Sequence, residues 1–314
     1  MDREKLKQIR RELVLSLAYP FFVLVMIVLW IMPDFLRKYV DRWAGGLYYK
    51  YSHKARAVAF DNLRSAFPDK SDSEIWEMTY SVFSNVASTL LDFFSFVWAK
   101  DRRRFFKYIE VEGEQHLQQA YEKGKGVICL IPHISSWELS AVTPPMLGFP
   151  TVAASKPIKG YLVQKTMVWF RARRGMKNFD RQGSYAKLSE SLHKGNCLIL
   201  MIDQDTKVKG CFVDFFGRQT FTPMGASRLA LETGASVVPM AMNRIGVNRY
   251  KFTIYPELPL HTTSATTNDN LLQNTQNQSY AIEEIIRKNP TQWVWMHRRW
   301  KTTPQNYPFE YIGK

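Results

Sequence analysis

Cysteine is scarce in this sequence. Cys129, Cys197 and Cys211 lie far apart in 314 residues, which gives neither a disulfide framework nor the ligand spacing of a metal site. Cys129 and Cys197 fall inside apolar runs and read as small buried hydrophobes in a reducing, cytosolic setting. Acidic residues are also few: 28 Asp plus Glu stand against 43 Lys plus Arg, a formal charge of +15. The excess favours an anionic partner, whether nucleic acid, an anionic membrane surface or an acidic protein. Zinc-finger spacing, an RNP-like block and a basic helix with heptads are all missing, which argues against nucleic acid. No internal repeat is present. Nor is there a Gly-x-Ser-x-Gly elbow; the nearest stretch, "GASRL" at 225–229, lacks the second glycine, so a serine hydrolase of that kind is disfavoured.

What the chain does contain is aromatic: nine Trp, 20 Phe and 15 Tyr. Aromatic rings mixed with basic residues suit the membrane interface. Residues 13–33, "LVLSLAYPFFVLVMIVLWIMP", carry no charge and reach the roughly 20 apolar residues that spanning needs. A cleaved signal is the rival, but "DFLRKYVDRW" follows where a small-residue cleavage site belongs. A retained anchor is therefore expected. Basic residues flank both ends (Arg3, Lys5, Lys7, Arg10 and Arg11; then Arg37, Lys38 and Arg42), so charge does not orient the helix. A full span and a dip into one leaflet both satisfy it.

Residues 52–67 read as an amphipathic helix. "SDSE" (71–74) is a helix start signal that opens a second helix to about Trp98. Its apolar stripe (Ile75, Met78, Val82, Val86, Leu90, Phe93 or Phe94, Val97) reads as core packing before it reads as an acyl-chain groove. "KDRRRFFK" (100–107) is either a solvated face or a contact with lipid phosphates. From residue 109 short apolar runs at 127–132, 151–155, 197–203, 237–242 and 251–258 alternate with helix-like stretches near 137–146, 160–174, 184–193 and 224–233. That alternation predicts an α/β fold with a largely parallel central sheet flanked by helices. The polar stretch 261–278 reads as a loop and 279–288 as a short helix. Three divisions result: a membrane anchor (1–35), a helical segment packing on the catalytic domain (36–108) and an α/β domain (109–314).

In open α/β sheets, ligands bind beyond the carboxyl ends of strands. His133 sits two residues past Ile131, on the turn into the next helix, and Glu138 lies about one turn inside it. A carboxylate reaching back would fix the imidazole tautomer and stabilise the imidazolium, leaving the other nitrogen as base. With no serine elbow, the nucleophile would be a substrate hydroxyl or water. The spacing alone is a weak signal.

The chain resembles the late (secondary) acyltransferases of lipid A biosynthesis, in the lysophospholipid acyltransferase superfamily. Six blocks carry the resemblance in order: "NLRSAFP" (62–68), "HISSWE" (133–138), "RARRGMKNFDR" (171–181), "GNCLILMIDQD" (195–205), "VDFFGRQTFTPMGASRLALETGASVVP" (213–239) and "WVWMHRRWK" (293–301). Ser135 and Ser136 depart from a family stretch that often reads Gly-Asn. The resemblance implies a glycerol-phosphate-acyltransferase-like fold and transfer of an acyl chain from acyl carrier protein to a hydroxyl of a lipid A precursor. This would occur on the cytoplasmic face of the bacterial inner membrane, with an acyl thioester as co-substrate and no cofactor or metal. His133 would be the general base, oriented by Glu138. Arg171, Arg173 and Arg181 carry over as phosphate-binding residues, and Arg174 reads as surface. Asp203 and Asp205 join the substrate-binding set in a supporting role, through hydrogen bonds or salt bridges to those arginines. Oxyanion donors would be amides at the start of the helix after His133, or an arginine of the "RARRG" block. Pro239 is expected to end a strand. Trp293, Trp295 and Trp300 with Arg298 and Arg299 read as an interfacial patch, with core packing the rival. Acylation of another glycolipid or a lysophospholipid, or a non-catalytic lipid-binding role, are the alternatives.

Overall fold

The computed structural model describes residues 3–96, 101–158, 160–181, 183–263 and 266–307. Val97, Trp98 and Lys100 of the sequence reading lie outside them, as do the side chains of Arg3, Lys5, Lys7 and Arg11. The elements run α1 (Arg3–Ile31), α2 (Asp34–Tyr51), α3 (His53–Ala66), α4 (Asp72–Phe96), α5 (Arg102–Phe106), β1 (Ile109–Glu112), α6 (Glu114–Glu122), β2 (Val127–Leu130), α7 (Trp137–Leu147), β3 (Thr151–Ser155), α8 (Tyr161–Ala172), β4 (Met176–Asp180), α9 (Tyr185–His193), β5 (Cys197–Leu200), β6 (Gly210–Phe215), β7 (Arg218–Pro223), α10 (Gly225–Thr233), β8 (Ser236–Gly246), β9 (Arg249–Ile254) and α11 (Thr267–Lys288). Seven strands form one sheet in the order β1-β9-β8-β2-β5-β3-β4, parallel throughout except for β8 with β9. The α/β fold with a largely parallel sheet is what the sequence predicts. A separate β6–β7 hairpin crosses between β5 and α10.

The pleat explains the layers. On β2, Ile128 and Leu130 point into one core with α3, α4, α9, α10 and α11, while Val127 and Cys129 point into the other with α6, α7 and α8. A strand buried on both faces must be apolar at every position, and β2 is.

Two readings are corrected. The polar stretch 261–278 is not a loop, because α11 begins at Thr267. Thr266 caps it by accepting from the Asp269 amide at 3.1 Å, and two of its buried polar residues find partners elsewhere in the fold. Asn274 bonds to both the amide and the carbonyl of His261, and Thr275 meets Ser227 at 2.8 Å. Tertiary partners overrode a composition that favours turns. Pro239 does not end its strand; it lies inside β8, where pairing with β2 stops at Pro239 and pairing with β9 starts at Met240. At that handover the missing proline N–H costs little.

The helix α1 carries one apolar stretch, Glu12–Ile31, long enough to cross a membrane and largely exposed. Leu17, Phe21 and Leu24 are among its exposed side chains. Its other side is docked along its length. Glu12 accepts from the Tyr161 amide (2.9 Å), Tyr19 meets Thr166 (2.7 Å), Met26 and Leu29 are buried, and Arg104 covers the Trp30 ring at 4.8 Å.

A buried cluster of four charges fastens α2 and α4 to the sheet. Arg37 donates to Asp41 (2.7 Å) and Asp92 (2.9 Å), and Arg244 of β8 donates to Asp92 (3.1 Å) and also to Asp41. Two guanidinium groups balance two carboxylates, so no charge is left uncompensated in the interior. We expect Asp92→Ala to leave two buried guanidinium groups with a single carboxylate, Asp41, and to lower the unfolding free energy by about 3–5 kcal/mol, read by chemical denaturation. A loss below about 1 kcal/mol would show that the cluster is not buried in solution.

Candidate active site

The register of two strands builds the centre of the site. Parallel pairing of β2 with β5 sets Leu130 beside Leu200, and the Ile131 amide donates to the Leu200 carbonyl at 3.0 Å. Three residues beyond that pair come His133 on one strand and Asp203 on the other, so they meet. His133 Nδ1 lies 2.8 Å from Asp203 Oδ1, and the His133 amide donates to Oδ2 at 2.7 Å. An ionised carboxylate only accepts, so Nδ1 carries the proton and Nε2 is left with its lone pair.

Glu138 is not the hydrogen-bond partner of His133. It begins α7 one position after Trp137, where a carboxylate also suits the positive end of the helix. Its two oxygens accept a fork from Arg171, at 3.0 Å from Nε and 2.7 Å from Nη2. The remaining amino group of Arg171 donates to Ser155 Oγ and Asn178 Oδ1, both at 2.9 Å. Four of the five N–H donors of Arg171 are thus engaged by protein partners, and the side chain ties α7 to α8, β3 and β4. Arg173 stacks on Trp169 at 4.9 Å, away from the cavity described below. Arg174 is buried, against expectation, bonding to the carbonyls of Phe170 and Phe96. Of the phosphate-binding candidates, Arg181 alone pairs an exposed side chain with a place on the cavity wall. Asp205 accepts from the Thr302 amide at 2.8 Å, and neither Asp203 nor Asp205 pairs with those arginines among the described residues.

The aromatic–basic C-terminal block lies in the core. Trp293 and Trp295 are fully buried with ring centroids 4.8 Å apart, and Trp300 packs beside them. Arg299 is buried too, donating to Phe221 O and Thr222 Oγ1; Arg298 is exposed. The block also serves the site. Trp293 Nε1 donates to Asp203 Oδ2 at 2.8 Å, the Ser135 amide donates to Gln292 O at 2.8 Å, and Ile134 bridges Trp293. Ser135, where the family often has glycine, sits at φ 47°, the left-handed region that a residue with a Cβ enters at a cost. The turn that carries His133 is thus clamped from behind by residues 292–293.

The electrostatics follow from these contacts. Burial pushes the His133 imidazolium down, but the Asp203 carboxylate bonded to it, and the charge of Glu138, raise it above its ordinary value. Burial alone would raise Asp203, yet His133, Trp293 and the His133 amide hold it down at about 2. The stability from charged His133 is thus full below the ordinary histidine value and lost as pH rises through the raised one. Asp203's share is lost only as pH falls towards about 2. The pair opens onto a cavity of about 820 Å³, near the upper end of the roughly 300–1,000 Å³ usual for ligand sites. Its lining is mostly apolar, with residues of β3, β5, α9 and α10 among the contributors, and exposed Lys156, Arg181 and Lys209 stand on its wall.

An imidazole bonded to a buried carboxylate thus stands beside a mostly apolar cavity at a strand's carboxyl end. The family model described as bacterial lipid A biosynthesis acyltransferase matches residues 7–302, and the chain belongs to that family. It is 26% identical over 276 residues to the lipid A biosynthesis lauroyltransferase of Escherichia coli, covering 85% of this chain and 86% of that protein. It is also 26% identical to a lipid A biosynthesis acyltransferase of Haemophilus influenzae, covering 82% and 80%. A phosphatidylinositol mannoside acyltransferase of Mycolicibacterium smegmatis matches at 26% over 64% of this chain and 66% of that one. Among solved structures, a 1-acyl-sn-glycerophosphate acyltransferase of Thermotoga maritima aligns with a TM-score of 0.39 and 13% identity, over 83% of this chain and 99% of that one. The family acts in lipid A biosynthesis as an acyltransferase, and the exposed apolar helix is consistent with membrane association.

Two substitutions probe the pair. In Asp203→Asn burial dominates His133, so the acid limb of the kcat/KM profile should move to lower pH while the rate falls about 10²–10⁴-fold. A limb that moves upward would contradict the assignment. Trp293→Phe keeps the ring in the core but removes one bond to a charged group, worth about 1.5–3 kcal/mol. Roughly tenfold lower kcat/KM with a near-native donor KM is expected in steady-state assays.

Proposed function

We propose that the protein transfers a fatty acyl chain from acyl carrier protein to a hydroxyl of a lipid A precursor, at the cytoplasmic face of the bacterial inner membrane. The observation that carries this reading is the His133–Asp203 pair on the wall of a large apolar cavity. His133 Nε2 takes the proton as the substrate oxygen attacks the thioester carbonyl carbon. The tetrahedral intermediate then collapses, the C–S bond breaks, and the imidazolium returns the proton to the leaving thiolate. No acyl-enzyme is required. Asp203 holds the tautomer and stabilises the imidazolium at contact distance. Glu138 adds negative charge nearby and, through Arg171, fixes the start of α7. With four of the five Arg171 donors held by Glu138, Ser155 and Asn178, the oxyanion falls to amides of the first turn of α7, a helix end whose first donors have no intrahelical partner.

Lys156, Arg181 and Lys209 give the cavity wall a positive character. That suits both an acidic carrier protein and a phosphorylated acceptor. The long docking of α1 on α4 and α8 favours a helix lying in one leaflet, since a full span would carry α8 into the bilayer with it.

Lipid A from cells with and without the gene, compared by mass spectrometry, should differ by the mass of one acyl chain. His133→Ala should reproduce the deletion while keeping the wild-type circular dichroism and melting profile. Unchanged lipid A in the deletion, alongside transfer to a mannosylated phosphatidylinositol or a lysophospholipid in vitro, would replace the acceptor. Full activity in His133→Ala would overturn the mechanism.

A further inference from the structure

The cavity is not confined to one face of the sheet. Ala153 and Ala154 are consecutive on β3, and Ile199 and Leu200 are consecutive on β5, so each pair points to opposite faces. All four line the cavity. Ala153 and Ile199 belong to the core beneath α7 and α8, whereas Ala154 and Leu200 belong to the core beneath α9 and α10. The space therefore crosses the carboxyl edge of the sheet and enters both layers, with His133 on its wall.

The side between α9 and α10 is walled by Leu188 and Leu229 and bounded by a polar latch. The Tyr185 hydroxyl of α9 donates to Glu232 Oε2 of α10 at 2.5 Å, and Arg228 Nε donates to Glu232 Oε1 at 2.8 Å. The Arg228 guanidinium lies over the Tyr185 ring at 5.2 Å. All three residues line the cavity and are more than a third exposed, so the latch divides an apolar interior from solvent. A chain lying between the two leucines would bring its terminal methyl up to this latch. A further methylene would have to break solvent-facing hydrogen bonds or bend.

We propose that the α9–α10 side is a binding site for a linear hydrocarbon chain whose length is limited by the Tyr185–Glu232–Arg228 latch. The proposal rests on the acyl-transfer reading and deepens it. The chain belongs either to the acyl donor or to the acceptor lipid, which present the same hydrocarbon chemistry.

The test uses the full-length protein in detergent, with acyl thioesters of graded length and acceptors of graded chain length. Tyr185→Ala/Glu232→Ala removes the latch at exposed positions, and Leu229→Phe shortens the space. A donor chain in the site gives the latch variant a roughly tenfold or greater gain for a thioester one methylene pair longer than the wild-type optimum, relative to that optimum. That is the discrimination a pocket makes at the scale of one methylene, about 10–200-fold. Leu229→Phe then shifts the optimum shorter. An acceptor chain in the site leaves the donor profile in place and moves acceptor KM with acceptor chain length instead. Either pattern supports the site. Donor and acceptor profiles unchanged within twofold in both variants would overturn it. Direct binding of a radiolabelled saturated fatty acid separates the two readings. A wild-type protein inert towards every thioester refutes the acyl-transfer reading, while weaker binding in Leu229→Phe would still support the hydrocarbon site. Fatty-acid binding equal in wild type and Leu229→Phe, in an inert protein, would sink both.

Discussion

Parallel pairing of β2 with β5 in a single register is the constraint on which the site depends. Leu130 stands beside Leu200, and the equal run of residues beyond each brings an imidazole to a carboxylate. A slip of one residue would turn every side chain of β2 to the other face. It would both expose apolar groups to the wrong core and part His133 from Asp203. The burial that fixes the fold and the contact that creates the base are therefore one constraint. Replacing the pair elsewhere on the sheet would require a different strand order.

A second theme is where the positive charge goes. The formal charge of +15 suggests a cationic surface, yet Arg37, Arg174 and Arg299 are buried and Arg171 is paired with Glu138. Guanidinium suits such positions because its planar fork bonds carboxylates and carbonyls in two directions while its faces stack on rings. Arg174 over Phe170 and Arg299 over Phe215 are instances. These arginines act as cross-members between layers. The charge left for an anionic partner is narrower than the composition implies, and part of it stands on the cavity wall at Lys156, Arg181 and Lys209.

Much of this was legible in the sequence. The buried strands β2, β3, β5 and β8 announce themselves as apolar runs, and the helices between them follow from capping and periodicity. Short β1 and β4 were missed because "IEVE" and "MKNFD" are half polar, as edge strands are. His133 was found from its place past β2, but its partner was misassigned. Glu138 is close in sequence, whereas Asp203 becomes a neighbour only once β5 is known to lie beside β2. One signal was available: "LIPH" and "LMID" both place a polar group three residues beyond the last leucine of a buried run. Reading strand ends in parallel would have paired them. The tryptophans leave an interfacial patch and core packing both open in the sequence, because aromatic rings beside arginines look alike in the two settings. Full burial of Trp293 and Trp295, and the hydrogen bond from Trp293 to Asp203, decide for the core.

The clamp on the turn that carries His133 also sets an order of assembly. Ser135 is held at positive φ by Gln292 and its neighbour Trp293, residues that leave the ribosome long after the turn they restrain. Until that late segment docks, the turn can relax to an easier backbone, and Asp203 lacks its indole donor. A nascent chain thus carries base and carboxylate without the geometry to use them. The geometry at His133 is complete only after residue 293 has docked behind the turn.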